Sequence, residues 1–223
     1  MIAIIDYGMG NLRSVAKALE SLGAEVKITA SPDIINKASG VVLPGVGAMP
    51  DAMQALQKAK VISSIKKTIA ADKPFLGICL GLQLLFETSE EGGGCKGLGI
   101  VKGTVPRFNF SKLATRDPQP VTGLKIPHMG WNQINQRIAY SVQRAGSKNL
   151  KILQNIPNNA YVYFVHSYYV RPKDKNIIAT TTDYGVEFCS SIAKGNLFAC
   201  QFHPEKSQKI GLQILRNFVR LCK

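Results

Sequence analysis

The sequence predicts an α/β fold: a mixed, mostly parallel sheet flanked by helices. Three observations predict it. Short apolar runs bounded by glycine or proline (Ile2 to Ile5, Val41 to Leu43, Phe75 to Ile78) alternate with segments of helical apolar periodicity through the first half of the chain. The second half turns β-rich and contains a hairpin signal. An amphipathic helix closes the chain. With 223 residues, 45% hydrophobic and 19% charged, the chain is long enough for a full core, and one domain over residues 1–223 is expected.

In chain order, Ile2 to Ile5 reads as the first strand. The turn Tyr7-Gly8-Met9-Gly10-Asn11 leads into a helix with Leu12, Val15, Ala16, Leu19 and Leu22 on one face, stopped at Gly23. Gly8-Met9-Gly10 after a strand resembles the start of a dinucleotide fingerprint. Position 13 is Arg, and no acidic residue ends the second strand, Glu25 to Thr29, so that reading is rejected. Val41 to Leu43 reads as a buried strand ended by Pro44, followed by Gly45-Val46-Gly47. Helices are expected from Pro50 to Lys58 and from Val61 to Ala71. After Phe75 to Ile78 a helical pattern carries Leu80, Leu84 and Leu85, and Glu87 to Gly94 reads as a polar, flexible loop. Strand character returns at Leu98 to Val101 and Thr104 to Phe108. Asn109 to Lys125 reads as an irregular surface segment. His128 to Asn132 holds the only Trp; Tyr161 to Val165 and Ile177 to Thr182 are β-rich. Cys189 to Ala193 and Leu197 to Phe202 flank the turn Lys194-Gly195-Asn196, and Gln208 to Leu221 is the last helix.

Composition excludes several classes. No apolar stretch approaches the roughly 20 residues of a membrane span, and the first residues have no signal-peptide pattern. Five cysteines with no Cys-x-x-Cys pair argue against a disulfide framework or zinc ribbon and for a reducing cytoplasm. The net charge of +14 raises nucleic acid as a partner. The lysines and arginines are scattered, however, and aromatic residues do not interleave with them, so the charge reads as a property of solubility and association.

Gly77-Ile78-Cys79-Leu80-Gly81 is the thiol form of the nucleophile elbow. A strand passes directly into a helix, and the small flanking residues let the two approach. Taken alone, such a motif more often marks a buried structural cysteine. His203-Pro204-Glu205 changes the weighing. A histidine fixed at a strand end, with a carboxylate two residues on, supplies a general base, later a general acid, and the group that orients it. Gly45-Val46-Gly47 ends a strand and can turn N–H groups toward a ligand. An oxyanion needs two donors, here the N–H of Leu80 and that of Val46 or Gly47.

Together, Gly77-Ile78-Cys79-Leu80-Gly81-Leu82-Gln83 and His203-Pro204-Glu205 resemble the class I (triad) glutamine amidotransferases. Leu43-Pro44-Gly45-Val46-Gly47, Pro127-His128-Met129-Gly130-Trp131-Asn132 and Tyr163-Phe164-Val165-His166-Ser167-Tyr168 narrow the resemblance to the glutaminase subunits of imidazole glycerol phosphate synthases. It implies a flavodoxin-like fold and a Cys79, His203, Glu205 triad that hydrolyses L-glutamine to glutamate and ammonia. It also implies glutamine contacts at Gly47, Gln83, Glu91, Ser167 and Tyr168, and no cofactor or metal. Ammonia would pass to a (βα)8-barrel cyclase in a cytoplasmic heterodimer of histidine biosynthesis, docked through Met9, Asn11, Trp131, Tyr163 and Lys206. Similar subunits supply a synthetase that amidates a surface-polysaccharide sugar, which is the alternative.

Overall fold

The structure is a computed structural model that describes residues 1–110, 124–137 and 148–223. Most of the expected irregular segment, residues 111–123, therefore lies outside the described residues.

The first half alternates as expected. β1 (Ile2–Ile5), α1 (Leu12–Glu20) and β2 (Val26–Thr29) are followed by α2 (Pro32–Lys37), β3 (Gly40–Gly45), α3 (Met49–Lys58), α4 (Ile62–Ala70) and β4 (Phe75–Cys79). One turn of helix, α5 (Leu80–Gln83), leads to β5 (Phe86–Ser89), β6 (Cys95–Lys96) and β7 (Val101–Val105). The rest is β8 (His128–Gln136), β9 (Ala160–His166), β10 (Arg171–Pro172), β11 (Ile178–Asp183), β12 (Glu187–Lys194), β13 (Leu197–Cys200) and α6 (Gln208–Leu221).

A nine-stranded sheet runs β2-β1-β3-β4-β13-β12-β11-β8-β9. β2 through β13 pair in parallel, and from β13 outward every pairing is antiparallel. The reversal comes from the hairpin at Gly195-Asn196. Lys194 pairs with Leu197, and Gly195 takes the positive φ of 58° that such a two-residue turn needs. Strand alternation divides the core between the two faces of the sheet. Ala3, Ile5, Val41, Leu43 and Phe75 face α3 and α4 through Met49, Ala52, Leu56 and Ile65. Ile2, Ile4, Val42, Leu76 and Ile78 face α1 and α6 through Val15, Leu19, Ile214, Leu215 and Phe218.

Three expectations are corrected, and one element was not anticipated. The helix after Cys79 stops at Gln83, because Leu84 and Leu85 turn the chain into β5. The polar stretch from Glu87 is not a loop throughout: β5 and β6 belong to a second sheet, β10-β7-β5-β6, with a 3-10 turn at Glu91–Gly93 between them. Pro44 does not end β3, since the strand runs through it to Gly45, which pairs with Cys79. The short helix α2 was missed, although Ser31-Pro32 has the cap-and-proline form of a helix start.

Candidate active site

β4 lies between β3 and β13, so Cys79 at its C-terminal end sits where open α/β sheets place their sites. Its backbone is at φ 54°, ψ −109°, a positive-φ conformation that costs a non-glycine residue about 1–3 kcal/mol. The surroundings impose it. Gly45 pairs with Cys79 on one side, and Ala199 pairs with Gly77 on the other. A side chain at Gly81 would collide with the Leu43 carbonyl, and one at Gly77 would stand 2.9 Å from Ala199 Cβ. Strand and helix can meet at this angle only because both flanking residues lack a Cβ. The cysteine is 7% exposed, and its Sγ lies 3.8 Å from the Val165 carbonyl.

His203 follows β13, and its backbone is fixed on both sides. Its N–H donates to Tyr163 O (2.9 Å), and its carbonyl accepts from Ser207 Oγ (2.7 Å) and the Lys206 N–H (3.0 Å). Pro204 opens a 3-10 turn that brings Glu205 back beneath the ring, with Nδ1 to Oε1 at 2.9 Å and both side chains buried. The opposite ring nitrogen, Nε2, is buried with no hydrogen-bond partner among the described residues. Burial alone would lower the imidazole pKa. Cys79 and Glu205 outweigh it and raise it to about 10, so the ring holds its second proton at neutral pH.

A cleft of about 300 Å³ is lined by Val46, Gly47, Cys79, Leu80, Gln83, Glu91, Ser167, Tyr168 and His203, with Pro127, Val165 and His166. It thus collects every residue expected around the nucleophile except Glu205, which stands behind His203. Leu80 is the first residue of α5, so its N–H has no partner within that helix. Gly47 has φ 92°, which turns the loop after β3 toward the same cleft. Glu91 reaches across from the 3-10 turn: its Oε2 accepts the Met49 N–H at 2.8 Å, at the start of α3.

The expected docking residues fall into two groups. Trp131 and Tyr163 are paired across β8 and β9, with rings 6.1 Å apart, and Lys206 Nζ stands 5.9 Å over the Tyr163 ring. Trp131 is 46% exposed, and Met129 and Tyr161 on the same strands are more so, at 62% and 56%. Asn11 instead caps α1 through the Ser14 N–H (3.4 Å), and Met9 is partly buried against the core.

Three features escaped the sequence reading. The buried Tyr7 hydroxyl donates to Pro44 O at 2.9 Å and pins the end of β3; burial, then the charge of Cys79, push its pKa upward. Gln201 joins Gln83 Nε2 (3.0 Å) to Cys79 Sγ (3.6 Å). His128 and His166 pair across β8 and β9 at 3.0 Å. Gln201 stands two residues before His203 in the sequence, but nothing local says where its amide points. Both histidines are legible as residues, and only strand register shows them in contact.

Fold and site define a class: an α/β enzyme built around a thiol held at a strand–helix junction. The chain belongs to the class-I glutamine amidotransferases, whose family model matches residues 3–222. It is 48% identical over 222 residues to the imidazole glycerol phosphate synthase subunit HisH of Moorella thermoacetica, covering 100% of this chain and 95% of that one. To the HisH subunit of Thermosynechococcus vestitus it is 51% identical over 223 residues, covering 100% and 97%. Among solved structures, PurLQS from Thermotoga maritima superposes with a TM-score of 0.69 at 17% identity, covering 100% of this chain and 98% of that one. That last likeness is one of fold. Among the described residues no helix is long and apolar enough to cross a membrane.

Proposed function

We propose that this chain is the glutaminase subunit of an imidazole glycerol phosphate synthase, working in the cytoplasm as a heterodimer with a (βα)8-barrel cyclase. The observation that carries the chemistry is the cleft where Cys79 and His203 meet Gln83, Glu91, Ser167 and Tyr168. The near-half identity to full-length HisH subunits supports the pathway.

In this reading the proton exchanged between Cys79 and His203 already sits on the imidazole at rest, and Sγ bonds to the side-chain amide carbon of L-glutamine. The oxyanion is held by the N–H of Leu80 and that of Val46 or Gly47, donors aimed before charge develops. The C–N bond breaks as the nitrogen takes the His203 proton, and ammonia leaves. Water, deprotonated by His203, then attacks the γ-glutamyl thioester; the S–C bond breaks, glutamate departs and Sγ is restored. Glu205 keeps the imidazole oriented and stabilises its charged form. Glu91 has one carboxylate oxygen committed to Met49 N–H and offers the other to the substrate ammonium. Gly47, Gln83, Ser167 and Tyr168 complete the substrate contacts. Met9, Asn11, Trp131, Tyr163 and Lys206 face the cyclase, which receives the ammonia.

The test is glutamate release from glutamine, with and without the cyclase, in the native chain and in Cys79→Ala. Release stimulated by the cyclase and lost by a factor of about 10³ or more in the variant is the expected result. Undiminished release from Cys79→Ala would sink the mechanism. Co-purification with a sugar-amidating synthetase in place of a cyclase would move the chain to the other pathway.

A further inference from the structure

We propose that Gln201 is a further catalytic residue, an N–H donor to the sulfur of Cys79 whose aim is set by Gln83 and the Tyr168 carbonyl. The proposal rests on Cys79 being the nucleophile of the glutaminase reading above.

Which end of the Gln201 amide meets the sulfur follows from its neighbours. Tyr168 O is a main-chain carbonyl and can only accept. The Gln83 atom 3.1 Å from it is therefore the nitrogen, Nε2. That same nitrogen lies 3.0 Å from Gln201, so the Gln201 atom facing it is the acceptor, Oε1. The atom left to face Cys79 Sγ, at 3.6 Å, is the donor, Nε2. Gln201 is fully buried, so its side-chain amide cannot turn over without breaking its bonds to Gln83 and to Cys79.

Tyr168 O is itself held from the other side. His166 Nδ1 donates to it at 2.8 Å, which leaves His166 Nε2 to accept from His128 Nδ1 at 3.0 Å. His128 Nε2 then accepts from Asn132 Nδ2 at 3.3 Å, and the same nitrogen donates to Asp183 O at 2.8 Å. Every donor has an acceptor, and both branches end on one carbonyl. Burial lowers the pKa of His128 to about 4 and of His166 to about 3, so both rings stay neutral and these tautomers persist at working pH.

A neutral thiol or thioether accepts a hydrogen bond weakly; an anionic sulfur accepts strongly. A fixed N–H on Sγ thus favours the sulfur anion twice, before attack on the amide and again when the thioester breaks. Gln83 keeps its Oε1 without a protein partner among the described residues, free for the substrate.

Two variants separate these roles. Gln201→Glu keeps the acceptor toward Gln83 and removes the donor to sulfur; Gln201→Met removes both. Alkylation of Cys79 by iodoacetamide at neutral pH, followed by mass spectrometry of its peptide, reads the sulfur directly and needs no glutamine. Both alkylation rate and kcat for glutamate release by the cyclase complex are expected to fall by about tenfold or more, as for loss of one charge-assisted hydrogen bond. The KM for glutamine should change by less than about threefold. Alkylation or kcat at the native level in both variants overturns the proposal, as does a KM that rises while kcat holds. Slowed alkylation in a chain whose native form releases no glutamate would leave the donor standing and sink the glutaminase reading. Should neither variant fold, the 15N side-chain amide signal of Gln201 in the native protein decides: it is expected to move on alkylation of Cys79, and an unmoved signal overturns the donor.

Discussion

The main-chain N–H of His203 donates to the carbonyl of Tyr163 at 2.9 Å, on the strand pair whose exposed face carries Trp131. One peptide group therefore joins the wall of the cleft to the outer aromatic surface. The hydroxyl of Ser207 closes a second link, to the Tyr163 N–H at 3.0 Å. Base and docking face are held to the same stretch of β9.

That exposed face yields the first prediction. Trp131 is large, half-exposed and edge-on to Tyr163, as expected of an aromatic anchor. Trp131→Ala is expected to weaken cyclase binding by at least about 2 kcal/mol, roughly thirtyfold in Kd. Titration calorimetry measures it, and an unchanged Kd would put the partner on another face.

Among the described residues the Glu205 side chain hydrogen-bonds to His203, so its removal should be read through that ring. Glu205→Gln keeps the shape but loses the charge that, with Cys79, raises the His203 pKa to about 10. The expected outcome is an NMR titration midpoint for His203 below about 10 and a kcat reduced by a factor of about 10²–10⁴. A midpoint that does not move would remove Glu205 from the site's electrostatics.

The three histidines make opposite contributions to stability as pH changes. His203 has a folded pKa raised above the unfolded value of 6.5, so its contribution is full below about 6.5 and lost as pH rises through about 10. His128 and His166 have folded values lowered to about 4 and about 3, so theirs is full above 6.5 and lost as pH falls toward those values. Their summed contribution is greatest near neutrality. Urea midpoints between pH 7 and pH 4 should fall less steeply in His128→Gln than in the native chain; equal slopes contradict the assignment.

Gly81 and Gly8 are glycines for different reasons. A methyl at Gly81 meets the Leu43 carbonyl, whereas one at Gly8 meets nothing within 4 Å and has only a φ of +84° to contend with. Gly81→Ala is expected to cost about 2–3 kcal/mol or more by overpacking, and Gly8→Ala about 1 kcal/mol from backbone strain alone. Thermal unfolding ranks the two; a Gly81→Ala protein as stable as the native one would contradict the elbow's packing.

Much of the site was legible because its signals are short-range. Gly-x-Cys-x-Gly is a steric requirement of one turn, and His203-Pro204-Glu205 places a ring and its carboxylate within three residues. The misses are of another kind. Leu84 and Leu85 continue a helical pattern, yet the chain turns after them because the N–H groups of Leu98, Ile100 and Val101, on the segment leading into β7, bond to Leu84 O and Leu85 O. Glu87 to Ser89 look polar, yet form a strand because β7 and β6 pair with its two edges. Gln201 is a buried amide whose partners, Gln83 and Cys79, are brought to it by neighbouring strands.

By itself the sequence determined the alternation of strand and helix, the elbow and its base, because apolar period, glycine spacing and proline act within a few bonds. The tertiary structure alone decided the order β3-β4-β13, which sets Cys79 and His203 on one cleft. It also decided the register that pairs His128 with His166 and the direction of the amide facing Cys79. Those depend on which donors and acceptors are left unpaired once distant strands have met, a condition no local pattern carries.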